Sequence, residues 1–109
     1  MSNTAPRPVR HVVFHRPGPK WKQGIDFREQ VGVGEHVQHY LKFHMQGKLE
    51  LGGPFLLQDA GGMMVATKDV SREELEAFAA ADPAVQSGLL MFEIRPWLTA
   101  MEHKKLEEP

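Results

Sequence analysis

The stretch from Glu35 to Phe55, EHVQHYLKFHMQGKLELGGPF, constrains the fold more than any other part of the chain. At roughly 100° per residue, His36, Val37, Tyr40, Leu41, Phe43, His44 and Met45 share one half of a helix, while Glu35, Gln38, His39, Lys42 and Gln46 fill the other. The spacing predicts a helix over Glu35–Gln46, with Gly47 as its terminating glycine. Lys48–Leu57 then reads as a strand bent at Gly52-Gly53-Pro54. Residues 58–62 form a turn and Met63–Thr67 a second strand, giving a hairpin. A helix with one apolar half that feeds directly into a hairpin lays that half on one face of the sheet.

The rest of the chain extends this unit on both sides. Val9–His15 is rich in β-branched and aromatic residues and reads as a strand. The connection Arg16–Gly34 carries Pro17, Gly18 and Pro19 at its start and room for a turn of helix over Asp26–Val31. Ser71-Arg72-Glu73-Glu74 has the spacing of a capping box, so a second helix starts near Arg72, with Leu75, Phe78 and Ala79 on its apolar face and Pro83 as its stop. Ala84–Gly88 reads as a turn and Leu89–Trp97 as the last strand. The order strand, helix, strand, strand, helix, strand is that of an α+β, ferredoxin-like βαββαβ domain, with both helices on one face of a four-stranded antiparallel sheet. The domain is expected over 9–98, after a flexible arm at 1–8 and before a charged tail at 99–109.

With 109 residues the chain has room for one domain. Such a small core favours association, and a bare sheet face bearing Leu89, Met91 and His11 or Val12 points to a homodimer formed sheet to sheet. The net charge of −1, with acids interleaved among the bases, excludes the basic stripe that nucleic-acid binding requires. The absence of cysteine excludes disulfides, thiolate metal sites and thiol nucleophiles. No apolar run is long enough to span a membrane, and the first residues lack a signal-peptide core, so a cytoplasmic protein is expected.

Two polar residues stand on faces that should be apolar. Asp82 occupies the i+7 position of the Leu75–Phe78–Ala79 face. A buried carboxylate requires a partner or a raised pKa; alternatively, Asp82 caps the turn that follows it, as Asp before proline commonly does. His36 lies in the first turn of the first helix, where the helix dipole disfavours imidazolium and favours the neutral imidazole of a general base. The plainer reading is a core-edge histidine bonded to a backbone carbonyl. With both helices on one sheet face, Asp82 and His36 can meet as a dyad. Candidate substrate-binding residues are Arg16, Trp21 and Arg28 of the first connection, Tyr40 of the helix, and Gly53 and Pro54 of the bend. Arg16, Arg28 or Arg95 could hold an anionic oxygen; equally, the Arg16–Gly34 loop could be solvated with Trp21 folded onto the core. His11 and His15 share a strand face and read as weak ligands. His39 points to the polar half without an acidic or cysteine partner, so no metal is expected. Neither a phosphate loop nor a G-x-S-x-G elbow is present.

The run His36-x7-His44-x2-Gly47-Lys48-x4-Gly53-Pro54, followed by Ala81-Asp82-Pro83, Gly88 and Arg95-Pro96, resembles the YCII-related (YciI-like) family over about Val9–Trp97. The resemblance implies a ferredoxin-like fold pairing into a dimeric α/β barrel, with a His–Asp dyad at a pocket corresponding to His36 and Asp82. It also implies a cofactor-independent enzyme of small molecules, the best described relative being a dehydrochlorinase of a chlorinated hydroxyhydroquinone. The expected chemistry is elimination, isomerisation or tautomerisation of a small phenolic or quinoid ring. The alternative is a non-catalytic dimer that binds a ligand or regulates a partner.

Overall fold

The computed structural model describes residues 8–103. The chain runs through β1 (Val9–Pro17), a short 3-10 turn (Phe27–Glu29), α1 (Val33–Met45), β2 (Leu49–Pro54), β3 (Gly62–Ala66), α2 (Arg72–Ala80), α3 (Pro83–Ser87) and β4 (Leu90–Leu98). The strands form one antiparallel sheet in the order β2-β3-β1-β4. This α+β arrangement, an open four-stranded sheet with three helices, is compatible with a ferredoxin-like fold. Most of the expected N-terminal arm, residues 1–7, and residues 104–109 of the expected tail lie outside the described residues. Within them, the Thr99 amide donates to the Pro8 carbonyl and Arg10 pairs with Glu102, so residues 99–102 run beside β1.

Local chemistry sets the helix ends. At the end of α1 the Lys48 amide bonds the Phe43 carbonyl and the Gly47 amide bonds the His44 carbonyl, with Gly47 in the left-handed conformation (φ 77°). That is the Schellman closure expected of a glycine there. Ser71 caps α2 by accepting the Glu74 amide at 3.0 Å. The Glu74 carboxylate does not reach back to complete a capping box; it pairs with Lys48 and so ties α2 to the start of β2. The segment after Pro83, expected as a turn, is a five-residue helix with proline in its first turn and Gly88 (φ 89°) closing it. Helices this short carry no readable periodicity.

The core lies between the sheet and the helices. Val13 of β1 pairs with Met64 and Ile94 across the sheet, and these pack with Phe43, Leu75 and Ala79 from the helices. A fully buried valine, leucine or phenylalanine among them contributes about 1.5–3 kcal/mol. A second apolar cluster, Ala84, Leu89 and Leu90 with Trp21 and Val85, closes the other end. Leu89 therefore belongs to the core and not to the open face of the sheet, because it precedes β4 and folds under the first connection. That open face is mixed: Val65 and Met63 stand opposite Val12 and Phe14, with Met91 and Trp97 opposite Arg16 and Arg10. Strand alternation places Arg10, Val12, Phe14 and Arg16 on it. Arg16 and Arg95 both pair with Glu93, and the Arg95 guanidinium lies 4.8 Å from the Phe14 ring centroid.

Candidate functional site

Between the two apolar clusters lies a polar one, and it is the most unusual feature of the interior. His15, His36, Tyr40 and Asp82 are all buried, and Asp82 is fully so. β1 supplies His15, the first and second turns of α1 supply His36 and Tyr40, and the corner between α2 and α3 supplies Asp82.

Asp82 divides its two oxygens. Oδ1 accepts the Ala84 amide at 2.9 Å and so caps α3. Oδ2 lies 2.5 Å from His36 Nδ1. Partner and turn cap, the two readings open from sequence, are thus both satisfied by one carboxylate. Its setting differs from the expected helix C-terminus, since the residue opens α3 instead of ending α2, and the local backbone offers it an N–H. Burial alone pushes the Asp82 carboxyl up. The hydrogen bond and charge of His36, the Ala84 amide and the charge of His15 together outweigh it, so the group lies below the usual carboxylate range. An ionised Asp82 accepts, so His36 Nδ1 carries the proton and donates. The other ring nitrogen, Nε2, has no hydrogen-bond partner among the described residues. In the neutral imidazole this places the proton on the inner nitrogen and the lone pair on the outer one.

His15 was read from sequence only as a weak ligand. Its ring stands edge-on to those of His36 and Tyr40, at centroid distances of 4.8 and 5.4 Å. Its Nε2 is 3.4 Å from the Tyr40 hydroxyl and 4.0 Å from Asp82 Oδ2. Burial, then the neighbouring His36, lowers its pKa to about 4, against a smaller upward pull from Asp82, so it is neutral near pH 7. Burial, then Asp82, pushes the Tyr40 phenol well above its ordinary range, so it keeps its proton. Gly61 lets the β2–β3 turn approach this strand: a Cβ there would stand 1.9 Å from the His15 carbonyl oxygen, at a backbone φ of 74°. No side chain fits that position.

The cluster faces a cavity of about 500 Å³. His15, His36, Tyr40 and His44 are its polar members, Gly53 and Pro54 form part of the β2 wall, and Trp21 and Phe27 come from the first connection. That connection is an ordered roof. Gln30 is buried within it, bonding the Lys22 amide and the carbonyls of Lys22 and Ile25. Backbone bonds from Gly18 to Leu89 and from Lys20 to Gly88 pin it to the α3–β4 turn. The Trp21 indole donates to Asp59 Oδ1 at 2.6 Å, joining the roof to the β2–β3 turn.

Of the residues expected at the site, His36, Asp82, Trp21, Tyr40, Gly53 and Pro54 are therefore brought together. The arginines are not. Arg16 and Arg95 are engaged with Glu93 on the opposite sheet face. Arg28 pairs with Asp26 and lies over the Phe27 ring, outside the lining of this cavity. His39, expected on the polar half of α1, is buried. Its ring stacks on Phe78 at 3.9 Å and its Nε2 donates to the Phe78 carbonyl, because α2 packs across that side of the helix.

His15, His36 and Asp82 also have donor atoms within 4.8 Å of one another, the composition of a transition-metal site. As folded, though, the inner His36 nitrogen and the carboxylate share a proton at 2.5 Å, and a metal would have to displace it. No family model, curated protein or solved structure matches the chain. Among the described residues no helix is long and apolar enough to cross a membrane.

Proposed function

We propose that this chain is a cofactor-independent enzyme that moves protons on a small ring-shaped substrate, with His36 as general base and Asp82 as the group that orients it. The observation that carries this reading is the 2.5 Å contact of His36 Nδ1 with a buried, ionised Asp82, on the wall of a cavity large enough for such a ring. The carboxylate fixes the tautomer and stabilises the imidazolium formed when Nε2 takes a proton. A base so placed contributes roughly 10²–10⁴-fold. The electron pair left on the substrate forms a ring double bond. In an isomerisation the proton returns at another atom; in a dehydrochlorination the chlorine leaves with its bonding pair as chloride.

The order of His36, Gly47, Gly53-Pro54 and Asp82-Pro83 supports kinship with the YciI-like proteins, and dehydrochlorination of a chlorinated hydroxyhydroquinone is the first reaction to assay. Phenolic and quinoid rings form the substrate panel, with chloride release and solvent deuterium uptake as readouts. His36→Ala and Asp82→Ala should retain the fold by circular dichroism and lose turnover. Full activity in either variant refutes the assignment. Ring binding with no proton transfer in the unaltered protein would instead identify a ligand-binding protein. The same kinship carries pairing of two copies into a dimeric α/β barrel, through the sheet face where Met91 and Trp97 stay partly exposed. A monomeric mass by light scattering at micromolar concentration would exclude that pairing.

A further inference from the structure

The cavity walls restrict the charge and the functional group of what binds there. Among the described residues lining it there is no arginine, lysine, aspartate or glutamate. A fixed negative charge, Asp82, is set behind His36. An anion entering this space would lose its water and meet the negative charge of Asp82, with no arginine or lysine in the wall to pair with. Most of the wall is apolar, from Trp21, Phe27, Leu41, Met64 and Leu90.

Tyr40 follows His36 by one helical turn, with ring centroids 5.3 Å apart. Both line the cavity, so one ligand ring can meet both. The Tyr40 hydroxyl is a donor that keeps its proton, since burial and Asp82 oppose its ionisation. Its hydrogen-bond partner among the described residues is His15 Nε2 at 3.4 Å, a distance loose enough for the hydroxyl to turn toward a better acceptor. The imidazole, neutral in this setting, then supports the hydroxyl oxygen by donating to it.

We propose that Tyr40, backed by His15 as a positioning residue, is the donor that holds the oxygen of an uncharged cyclic carbonyl compound or its enol tautomer, while His36 faces the neighbouring ring carbon. The inference rests on His36 as base and narrows what that base acts upon. His36 Nε2 takes the proton from the carbon next to the carbonyl. The C–H pair forms a carbon–carbon double bond, and the carbonyl π pair moves onto the oxygen, where Tyr40 O–H holds it. The imidazolium returns the proton to the oxygen or to another ring carbon, so no co-reactant is consumed.

Binding of three ring-matched probes tests this without reference to turnover. p-Cresol presents a neutral hydroxyl, toluene none and p-toluate a carboxylate; calorimetry, or quenching of Trp21 emission, follows each. The unaltered protein should bind p-cresol roughly tenfold more tightly than either of the others, the worth of one neutral hydrogen bond in a dry site. Tyr40→Phe should bring p-cresol down to toluene and leave toluene unchanged. His15→Asn should shrink the same preference with toluene again unaffected, a ratio that a purely structural role would not move. p-Toluate binding as tight as p-cresol, equal loss of toluene and p-cresol in Tyr40→Phe, or no p-cresol binding at millimolar concentration would each overturn the proposal. The p-cresol preference should persist in His36→Ala. If the unaltered protein keeps that preference yet transfers no proton from any ring, the catalytic reading fails and the oxygen-binding role of Tyr40 stands.

Discussion

His36 and Asp82 are 46 positions apart in sequence and joined by a 2.5 Å hydrogen bond between Nδ1 and Oδ2. Because the other aspartate oxygen caps α3, one substitution can remove the dyad and keep the cap. Asp82→Asn retains an oxygen for the Ala84 amide and turns an NH2 toward His36. That donor requires a lone pair on Nδ1, so the imidazole proton moves to Nε2 and the base is lost. The expected outcome is a melting temperature close to that of the unaltered protein, with proton transfer slower by about 10²–10⁴-fold. Asp82→Ala removes both contacts and should cost at least about 1 kcal/mol of stability for the cap alone. Thermal melts beside deuterium-uptake rates separate the two variants, and an active Asp82→Asn protein would contradict the role given to the carboxylate.

Stability should depend on pH in two windows. His15 titrates at about 6.5 in the unfolded chain and about 4 in the folded one. Between these values the unfolded state holds the extra proton, so stability falls as the pH drops through that interval, by up to about 3 kcal/mol. Asp82 acts below it. Its folded pKa lies under the ordinary 3.8, so the stability it contributes is present above that value and is lost as the pH falls through the folded one. Urea unfolding at about pH 7.5, 5.5 and 4.5 checks the upper window. His15→Asn should flatten that window and leave the acid loss in place. A flat curve for the unaltered protein across the interval would mean that His15 is protonated in the fold.

How far the site was legible follows from what each signal can see. Helical spacing alone singled out Asp82, because position i+7 of an apolar face needs an explanation. It could not see that the chain turns a corner at Pro83 and begins a new helix, which changes the backbone group nearest the carboxylate from a carbonyl to an amide. His39 was misplaced because periodicity describes one helix in isolation, whereas burial depends on which neighbour crosses it; here Phe78 does. His15 carried no local anomaly, since alternation assigns it a face without saying what packs there. Gly61, whose missing side chain admits the β2–β3 turn against β1, was a signal available in the sequence but open to many readings. The arginines looked like ligand contacts because sequence shows charge and not its partners; Glu93 and Asp26 already engage them.

The bond from Trp21 to Asp59 should act as a latch on the cavity roof. Asp59 holds a left-handed backbone conformation (φ 57°) that aspartate tolerates, in the turn opposite the roof. Asp59→Ala removes the acceptor and puts alanine in that left-handed conformation, and should cost about 2 kcal/mol in all. The larger effect should be local. In a Trp97→Phe background, which leaves Trp21 as the sole indole, emission should shift to the red and acrylamide quenching should increase. Release of p-cresol should also accelerate. Unchanged emission and quenching would show that packing against Ala84, Leu89 and Leu90 holds Trp21 without the bond.

Metal dependence separates a proton-sharing dyad from a metal centre built of the same atoms. His15, His36 and Asp82 offer two imidazoles and a carboxylate, a set that suits zinc or ferrous iron. Ligands on one ion are deprotonated at the bound atom and stand about 3 Å or more apart, because each sits about 2 Å from the metal. The inner His36 nitrogen and Asp82 Oδ2 are closer than that, at the distance of a hydrogen bond with a proton between them. His36 Nε2, the atom given the catalytic task, is free only while Nδ1 stays protonated and bound to the carboxylate. Proton transfer should therefore survive exhaustive dialysis against a chelator with its rate unchanged. A rate lost on dialysis and restored by one divalent ion would reassign the three residues as ligands and remove His36 as the base.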